Sequence, residues 1–253
     1  MITMKQYKTP LRYPGGKSRA CKKMEPFFPD LRDYDVYYEP LYNFWLQLQV
    51  NGDYVHSQLQ QLKSRFPDRG SARGLFEDAK EKLYDLDITD KDRAVCFYII
   101  NKCSFSGLTE SSSFSEQASD ANFSLRGIDK LPVYSKLIKD WYITNVDYHH
   151  LLGDKEKTFV YLDPPYDIKD NLYGRKGSMH KKFDHDDFAK TCEIYNSEML
   201  ISYNSDQLVK DRFTNWNVAE FDLTYTMRSV GEYMRNQKTR KELLLFNYKL
   251  GIF

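Results

Sequence analysis

The run Thr158-Phe159-Val160-Tyr161-Leu162 is apolar enough for a strand buried on both faces, and it stops at Asp163-Pro164-Pro165-Tyr166. Two successive prolines cannot donate to a ladder, so the strand ends there and the chain leaves it in a restricted geometry. Their missing N–H groups leave carbonyl oxygens free to accept hydrogen bonds. In open α/β sheets, ligands bind at the carboxyl ends of strands, which is where this tetrapeptide falls. A rigid turn with a solvated aspartate is the plain alternative. The combination of apolar strand, acid, prolines and aromatic favours a functional site.

The chain around it fits such a sheet. Segments 142–146, 199–203, 218–223 and 242–248 read as strands, and 184–193 and 206–213 as helices, the former capped by Asp184. Strands alternating with helices predict a mostly parallel sheet covered on both sides, with an antiparallel pair at the end. Before this region the pattern differs. Segment 41–66 reads as helical with a break at Asn51-Gly52, and 75–86 and 91–103 as further helices, the last opened by Thr89-Asp90. The serine-rich stretch 111–119 reads as an exposed loop or hairpin tip. The expected division is therefore an α/β domain from residues 1–40 and 130–253, with a helical and hairpin region at 41–129.

Composition narrows the class. A chain of 253 residues with 41% hydrophobic and 29% charged residues is neither disordered nor membrane-embedded. No apolar run approaches the ~20 residues of a bilayer span. The start, Met1-Ile2-Thr3-Met4-Lys5, lacks a secretory signal, so a cytoplasmic location is expected. Cys21, Cys96, Cys103 and Cys192 form no C-x-x-C pair, which argues for buried thiols rather than zinc or disulfides. With 37 basic against 36 acidic residues, the total gives no sign of nucleic-acid binding, although a local basic face remains compatible with it.

A second motif is Leu11-Arg12-Tyr13-Pro14-Gly15-Gly16-Lys17-Ser18. A phosphate-binding P-loop needs a glycine five positions before Gly16, and Leu11 stands there, so that reading fails. A helix-entry turn with a solvated lysine is the plain alternative.

Asp163-Pro164-Pro165-Tyr166 together with the Leu11–Lys17 segment resembles the Dam-type DNA adenine methyltransferases, the alpha-ordered group acting on the exocyclic amine of adenine. The resemblance implies an α/β, Rossmann-like S-adenosylmethionine-dependent methyltransferase fold with a helical DNA-recognition insertion. It implies S-adenosylmethionine as cofactor and double-stranded DNA as partner, with no membrane role. It further implies an orphan enzyme or the modification half of a pair with a cognate restriction endonuclease.

By that match Asp163, Pro164, Pro165 and Tyr166 are catalytic. Asp163 and the Pro164 carbonyl accept the amine's two N–H bonds, and the Tyr166 ring stacks on a flipped adenine, its hydroxyl being dispensable. Tyr13 and Lys17 would touch the cofactor, with Asp163 also beside it. Asn145-Val146-Asp147-Tyr148 resembles the strand end holding the cofactor's adenine, through Asp147 or Tyr148, and Ser202-Tyr203-Asn204 a strand end shaping the target-base pocket. The segment 101–108 resembles the lead into a DNA-recognition hairpin, placing Thr109, Glu110, Ser111 and Phe114 at the major groove. Lys102 and Arg126 are expected to contact phosphates, and Arg175, Lys176, Lys181 and Lys182 to join them on one basic face.

One departure stands out. Tyr37-Tyr38-Glu39-Pro40 resembles the first cofactor-binding strand, with Glu39 as a cofactor contact, but Pro40 runs directly into Leu41-Tyr42-Asn43-Phe44-Trp45. The family's glycine-rich loop and ribose-binding acid belong to a βαβ unit of ~30 residues, and that segment is absent between Pro40 and Leu41. The rival readings are a catalytically degenerate homologue that binds DNA or protein, and methylation of RNA or a protein amide. Asp163 stands where enzymes of the last kind usually carry Asn.

Overall fold

Structure is described for residues 9–12, 21–24, 27, 39–105, 113–153, 158–166, 183–223 and 240–250 of a computed structural model. Two units divide the chain, one from Met1–Gly16 and Asp33–Asn145, the other from Lys17–Arg32 and Val146–Phe253. A short helix, α1 (Cys21–Met24), belongs to the second.

The first unit is helical. It contains α2 (Glu39–Val50), α3 (Gly52–Arg65), α4 (Arg69–Lys82), α5 (Asp90–Cys103), α6 (Glu116–Asn122), α7 (Leu125–Ile128) and α8 (Leu131–Leu137). Local capping explains several starts. Asp68 accepts from Ser71 N, Thr89 from Asp92 N and Ser115 from Ala118 N. Every residue from Ala94 to Cys103 is buried, the pattern of a helix surrounded by others. Around α5 pack Phe44 and Leu48 of α2, Val55 and Leu59 of α3, and Leu75 and Phe76 of α4. Ile128, Leu131, Tyr134, Ile138 and Ile143 bury in this same core, so the helical unit runs to Asn145, past the limit expected at 129.

Three expectations change here. Glu39 and Pro40 open α2 instead of ending a strand, proline being well tolerated in a helix's first turn. The strand expected at 142–146 is irregular. Its approach is tied to α2, because Gln49 Nε2 donates to the carbonyls of Ile138 at 2.6 Å and Trp141 at 2.8 Å. The serine-rich stretch is partly helical, since Ser115 caps α6 and Ser119 is buried within it.

The second unit holds β1 (Phe159–Leu162), α9 (His185–Ile194), β2 (Glu198–Asn204), α10 (Gln207–Arg212), β3 (Asn217–Leu223) and β4 (Arg240–Phe246). The cap anticipated at Asp184 accepts backbone N–H groups, and Asp206, where the next helix was expected to begin, caps it in the same way. Sheet order is β1-β2-β4-β3, with β1 parallel to β2 and β4 antiparallel to both β2 and β3. Among the described strands the sheet is therefore mixed, not mostly parallel, because β4 inserts between β2 and β3. One face carries Met199, Ile201, Tyr203, Leu243 and Leu245 against Phe188, Ala189 and Cys192 of α9. The other gathers Leu200, Leu244 and Phe246 with Met24 of α1. As the outermost described strand, β1 is half-buried throughout, less shielded than its composition suggested.

Cys96, Cys103 and Cys192 are free and buried, and burial pushes their thiols up to about 11, 12 and 12 respectively. No helix among the described residues is long and apolar enough to cross a membrane.

Gly52 marks where α3 meets α8. A Cβ there would lie 2.5 Å from Ser135 Oγ and 2.9 Å from Ser135 Cβ. Gly52→Ala is expected to destabilise the helical unit by about 1–3 kcal/mol through overpacking. Urea unfolding followed by circular dichroism measures it, and an unchanged midpoint would mean the helices can part freely.

Candidate active site

Parallel pairing aligns Leu162 of β1 with Ile201 of β2, so Asp163 leaves its strand beside Ser202. Ser202 Oγ donates to Asp163 Oδ1 at 2.8 Å and lies 2.8 Å from the Tyr161 hydroxyl. A serine has one proton to give, so Tyr161 donates to Ser202, which donates to Asp163. Asp163 itself is exposed, while Pro164 and Tyr166 on either side of half-buried Pro165 are buried. The turn thus presents a carboxylate to solvent from a shielded base.

Tyr166 is 7% exposed, and its hydroxyl donates to the carboxylate of Glu242, which is 0% exposed. Its ring lies 6.4 Å from that of Tyr203 at an interplanar angle of 32°. The hydroxyl, treated as dispensable in the sequence reading, is therefore engaged with a buried acid. Glu242 sits in register with Asn204 of β2 and Phe221 of β3, and Asn204 Oδ1 is buried without a hydrogen-bond partner among the described residues. Sequence reasoning did not single out Glu242. Its signal was an acid heading the apolar run Leu243-Leu244-Leu245-Phe246.

The Asp147–Tyr148 candidates occupy the same unit. Asp147 caps a 3-10 turn (Tyr148–His150), its Oδ1 accepting from His149 N at 3.0 Å. The Tyr148 hydroxyl donates to Asp187 Oδ2 at 3.2 Å, and its ring stacks on His149 at 4.0 Å and meets Phe188 edge-on. Tyr148 packs against the same apolar cluster that contains Tyr166. His149 is gripped from both sides, Nδ1 2.5 Å from Asp147 Oδ1 and Nε2 2.9 Å from Asp187 Oδ2. Only the imidazolium can donate twice, and the hydrogen bond to Asp147, with help from Asp187, raises its pKa. The His149 N–H and ring in turn lower the Asp147 pKa.

In the helical unit the expected DNA contacts diverge. Arg126 is exposed on α7. Lys102 is only 8% exposed; its ammonium lies 5.2 Å over the Tyr98 ring, and burial, then the charge of Arg12, lowers its pKa to about 8. A surface phosphate contact is not the position it occupies, because α5 is enclosed on all sides. Phe114 anchors a hairpin base. Ser104 and Phe114 form an antiparallel bridge, flanked by bonds from Phe105 N to Ser113 O at 3.2 Å and Ser115 N to Cys103 O at 2.9 Å. The Phe114 ring packs on Phe76 and under Arg73, so it faces the helical core. Arg12, from the second motif, exchanges hydrogen bonds with Asn101 through its backbone N and O, at 2.9 and 2.7 Å. Tyr13, Lys17, Thr109, Glu110, Ser111, Arg175, Lys176, Lys181 and Lys182 lie outside the described residues.

A model of the D12 class N6 adenine-specific DNA methyltransferase family matches residues 35–227. The chain belongs to this family. No curated protein matches it. For a D12-class adenine methyltransferase the mixed α/β content and mixed sheet are fitting, and the match spans both the Asp163–Tyr166 turn and the hairpin base. It leaves the Leu11–Lys17 motif and Glu242 outside.

The His149 clamp has a pH signature. Because its folded pKa is raised, its contribution is complete below the ordinary imidazole value and is lost as pH rises through the raised one. An NMR titration is expected to show His149 titrating above a free imidazole, with Asp147→Asn moving it back down. A normal titration in the unmodified protein would mean the clamp does not hold in solution.

Proposed function

We propose that this chain transfers a methyl group from S-adenosylmethionine to the exocyclic amine of an adenine flipped from duplex DNA. The observation that carries this reading is an exposed Asp163, oriented by Ser202 and Tyr161 at the carboxyl end of β1, in a member of an adenine-specific DNA methyltransferase family. Adenine's amine is a poor nucleophile because its lone pair is delocalised into the ring. The Asp163 carboxylate and the Pro164 carbonyl accept its two N–H bonds and favour a more tetrahedral nitrogen. Ser202 holds one carboxylate oxygen, so Asp163 meets the amine already aimed, which is catalysis by positioning and fixed dipoles.

The described residues suit the adenine end of the cofactor. Asp147 offers an acceptor whose Oδ1 is committed to His149, and Tyr148 offers a half-buried ring. When bound, S-adenosylmethionine supplies an electrophilic sulfonium methyl. Tyr13 and Lys17 are the proposed contacts toward its methionine end, and Glu39 a further proposed cofactor contact. Duplex DNA is the proposed partner, with Thr109, Glu110 and Ser111 reading the groove and exposed Arg126 open to a phosphate.

A second reading, a homologue that binds DNA without turnover, is favoured by one observation. Pro40 and Leu41 are consecutive within α2, where a complete family member would carry a glycine-rich loop and a ribose-binding acid. Calorimetry separates the readings. Weak S-adenosylmethionine binding is expected on the enzymatic reading, and none on the other.

Labelled S-adenosylmethionine with mixed-sequence duplex DNA tests the activity directly. Transfer is expected from the unmodified chain, and Asp163→Ala is expected to abolish it with little change in unfolding midpoint, since the side chain is exposed. Retained turnover in that variant would remove Asp163 from the mechanism. Affinity for duplex DNA is expected to fall as salt rises, with a log–log slope set by the phosphates contacted. A flat salt dependence would argue against a phosphate-tracking surface.

A further inference from the structure

Glu242 is fully buried within β4, and the next four residues of that strand, Leu243 to Phe246, are all apolar and buried. A leucine in its place would continue that strand without desolvating a charge. Among the described residues the carboxylate directs the Tyr166 hydroxyl, which donates to it. The bond crosses the sheet. Tyr166 follows β1, Glu242 lies on β4, and β2 stands between those strands.

The consequence is geometric. The Tyr166 backbone follows two prolines of fixed φ, and its hydroxyl is fixed by Glu242, so the ring is held at both ends. The Tyr203 ring, 6.4 Å away, bounds it further. Asn204, opposite Glu242 in register, carries a buried Oδ1 with no partner among the described residues, a mark of a polar end of the sheet suited to a ligand.

We propose that Glu242 is a positioning residue for adenine methylation, setting through the Tyr166 hydroxyl the ring against which the target base is placed. This inference rests on the methylation reading and concerns a residue beyond the matched 35–227. Glu242 touches neither base nor cofactor in this role; it acts through Tyr166.

The test compares full-length Glu242→Gln, Glu242→Met, Tyr166→Phe and the double variants with the unmodified protein. Methyl transfer to mixed-sequence duplex DNA is one readout. Fluorescence of the same duplex pool, carrying 2-aminopurine at a fraction of adenine positions, is the other. Glu242→Met and Tyr166→Phe are each expected to lower kcat by about tenfold with the cofactor KM nearly unchanged. Glu242→Gln keeps an acceptor and is expected to recover most of the rate. Adding Glu242→Met to Tyr166→Phe is expected to cost less than about twofold more, because one interaction is already gone. Quenching of 2-aminopurine by stacking is expected to weaken in both single variants.

Losses that multiply in the double variant overturn the proposal, as does a Glu242→Met protein of full kcat. If Glu242→Met does not fold, Tyr166→Phe decides: a kcat about tenfold lower upholds the proposal and a full kcat overturns it. Should the unmodified protein transfer no methyl group, the methylation reading fails by itself and the fluorescence decides the positioning role. Quenching that both single variants weaken upholds it there, and quenching they leave unchanged, or its absence in the unmodified protein, overturns it.

Discussion

β4 pairs with β2 along one edge and β3 along the other while apolar clusters cover both faces of the sheet. Leu243, Leu244 and Leu245 are consequently shielded from water on every side. Each such side chain contributes roughly 1.5–3 kcal/mol by leaving water, against about 0.5–1.5 kcal/mol net for an ordinary hydrogen bond. Apolar burial therefore holds the sheet together. The polar contacts among these strands have a different task, since a closed interior obliges each buried polar group to find a partner. Ser202 finds Tyr161 and Asp163, and Glu242 finds Tyr166. The candidate site is the place where that obligation meets the carboxyl ends of β1 and β2.

The helical unit shows the same rule with a less complete solution. α5 is enclosed by its neighbours, and Lys102 in its last turn is enclosed with it. No carboxylate meets the ammonium among the described residues; the Tyr98 ring lies beneath it instead. Burial consequently weakens its hold on the proton, bringing the pKa to about 8. Lys102 still lies close to the hairpin base, since Cys103 and Ser104, the next two residues, supply the backbone contacts to Ser115 and Phe114. Its place is beside that bridge and buried, not at the surface.

What the sequence made legible was local. Thr89 and Asp184 were recognisable as caps because a short polar side chain needs only the N–H groups two or three residues ahead. The strands at β1 and β2 and the break at Asn51-Gly52 followed from hydrophobic pattern and turn chemistry in the same way. Distant partners decided the rest. The 142–146 segment has strand-like residues, but Ile143 buries in a helical core and the chain before it is bound by Gln49, some ninety positions earlier. The insertion of β4 between β2 and β3 is a choice of neighbours that residue periodicity does not encode. Asp163 and Tyr166 were legible as a motif, whereas Glu242, the partner of Tyr166, lies 76 positions away and outside any local pattern.

The alternation of burial along Asp163-Pro164-Pro165-Tyr166 links these constraints to chemistry. A carboxylate used to orient a substrate amine must reach solvent, yet a free aspartate at a strand end would rotate among several conformers and lose that freedom on binding. Here the cost is met in advance. Pro164 is buried, Tyr166 is tied to the far side of β2, and the exposed Asp163 between strand and prolines has one oxygen held by Ser202. Holding one oxygen fixes the plane of the carboxylate, and the Tyr161 hydroxyl behind Ser202 leaves the serine proton a single acceptor. The acid is thus exposed without being loose, because the residues that restrain it belong to the closed interior of the sheet.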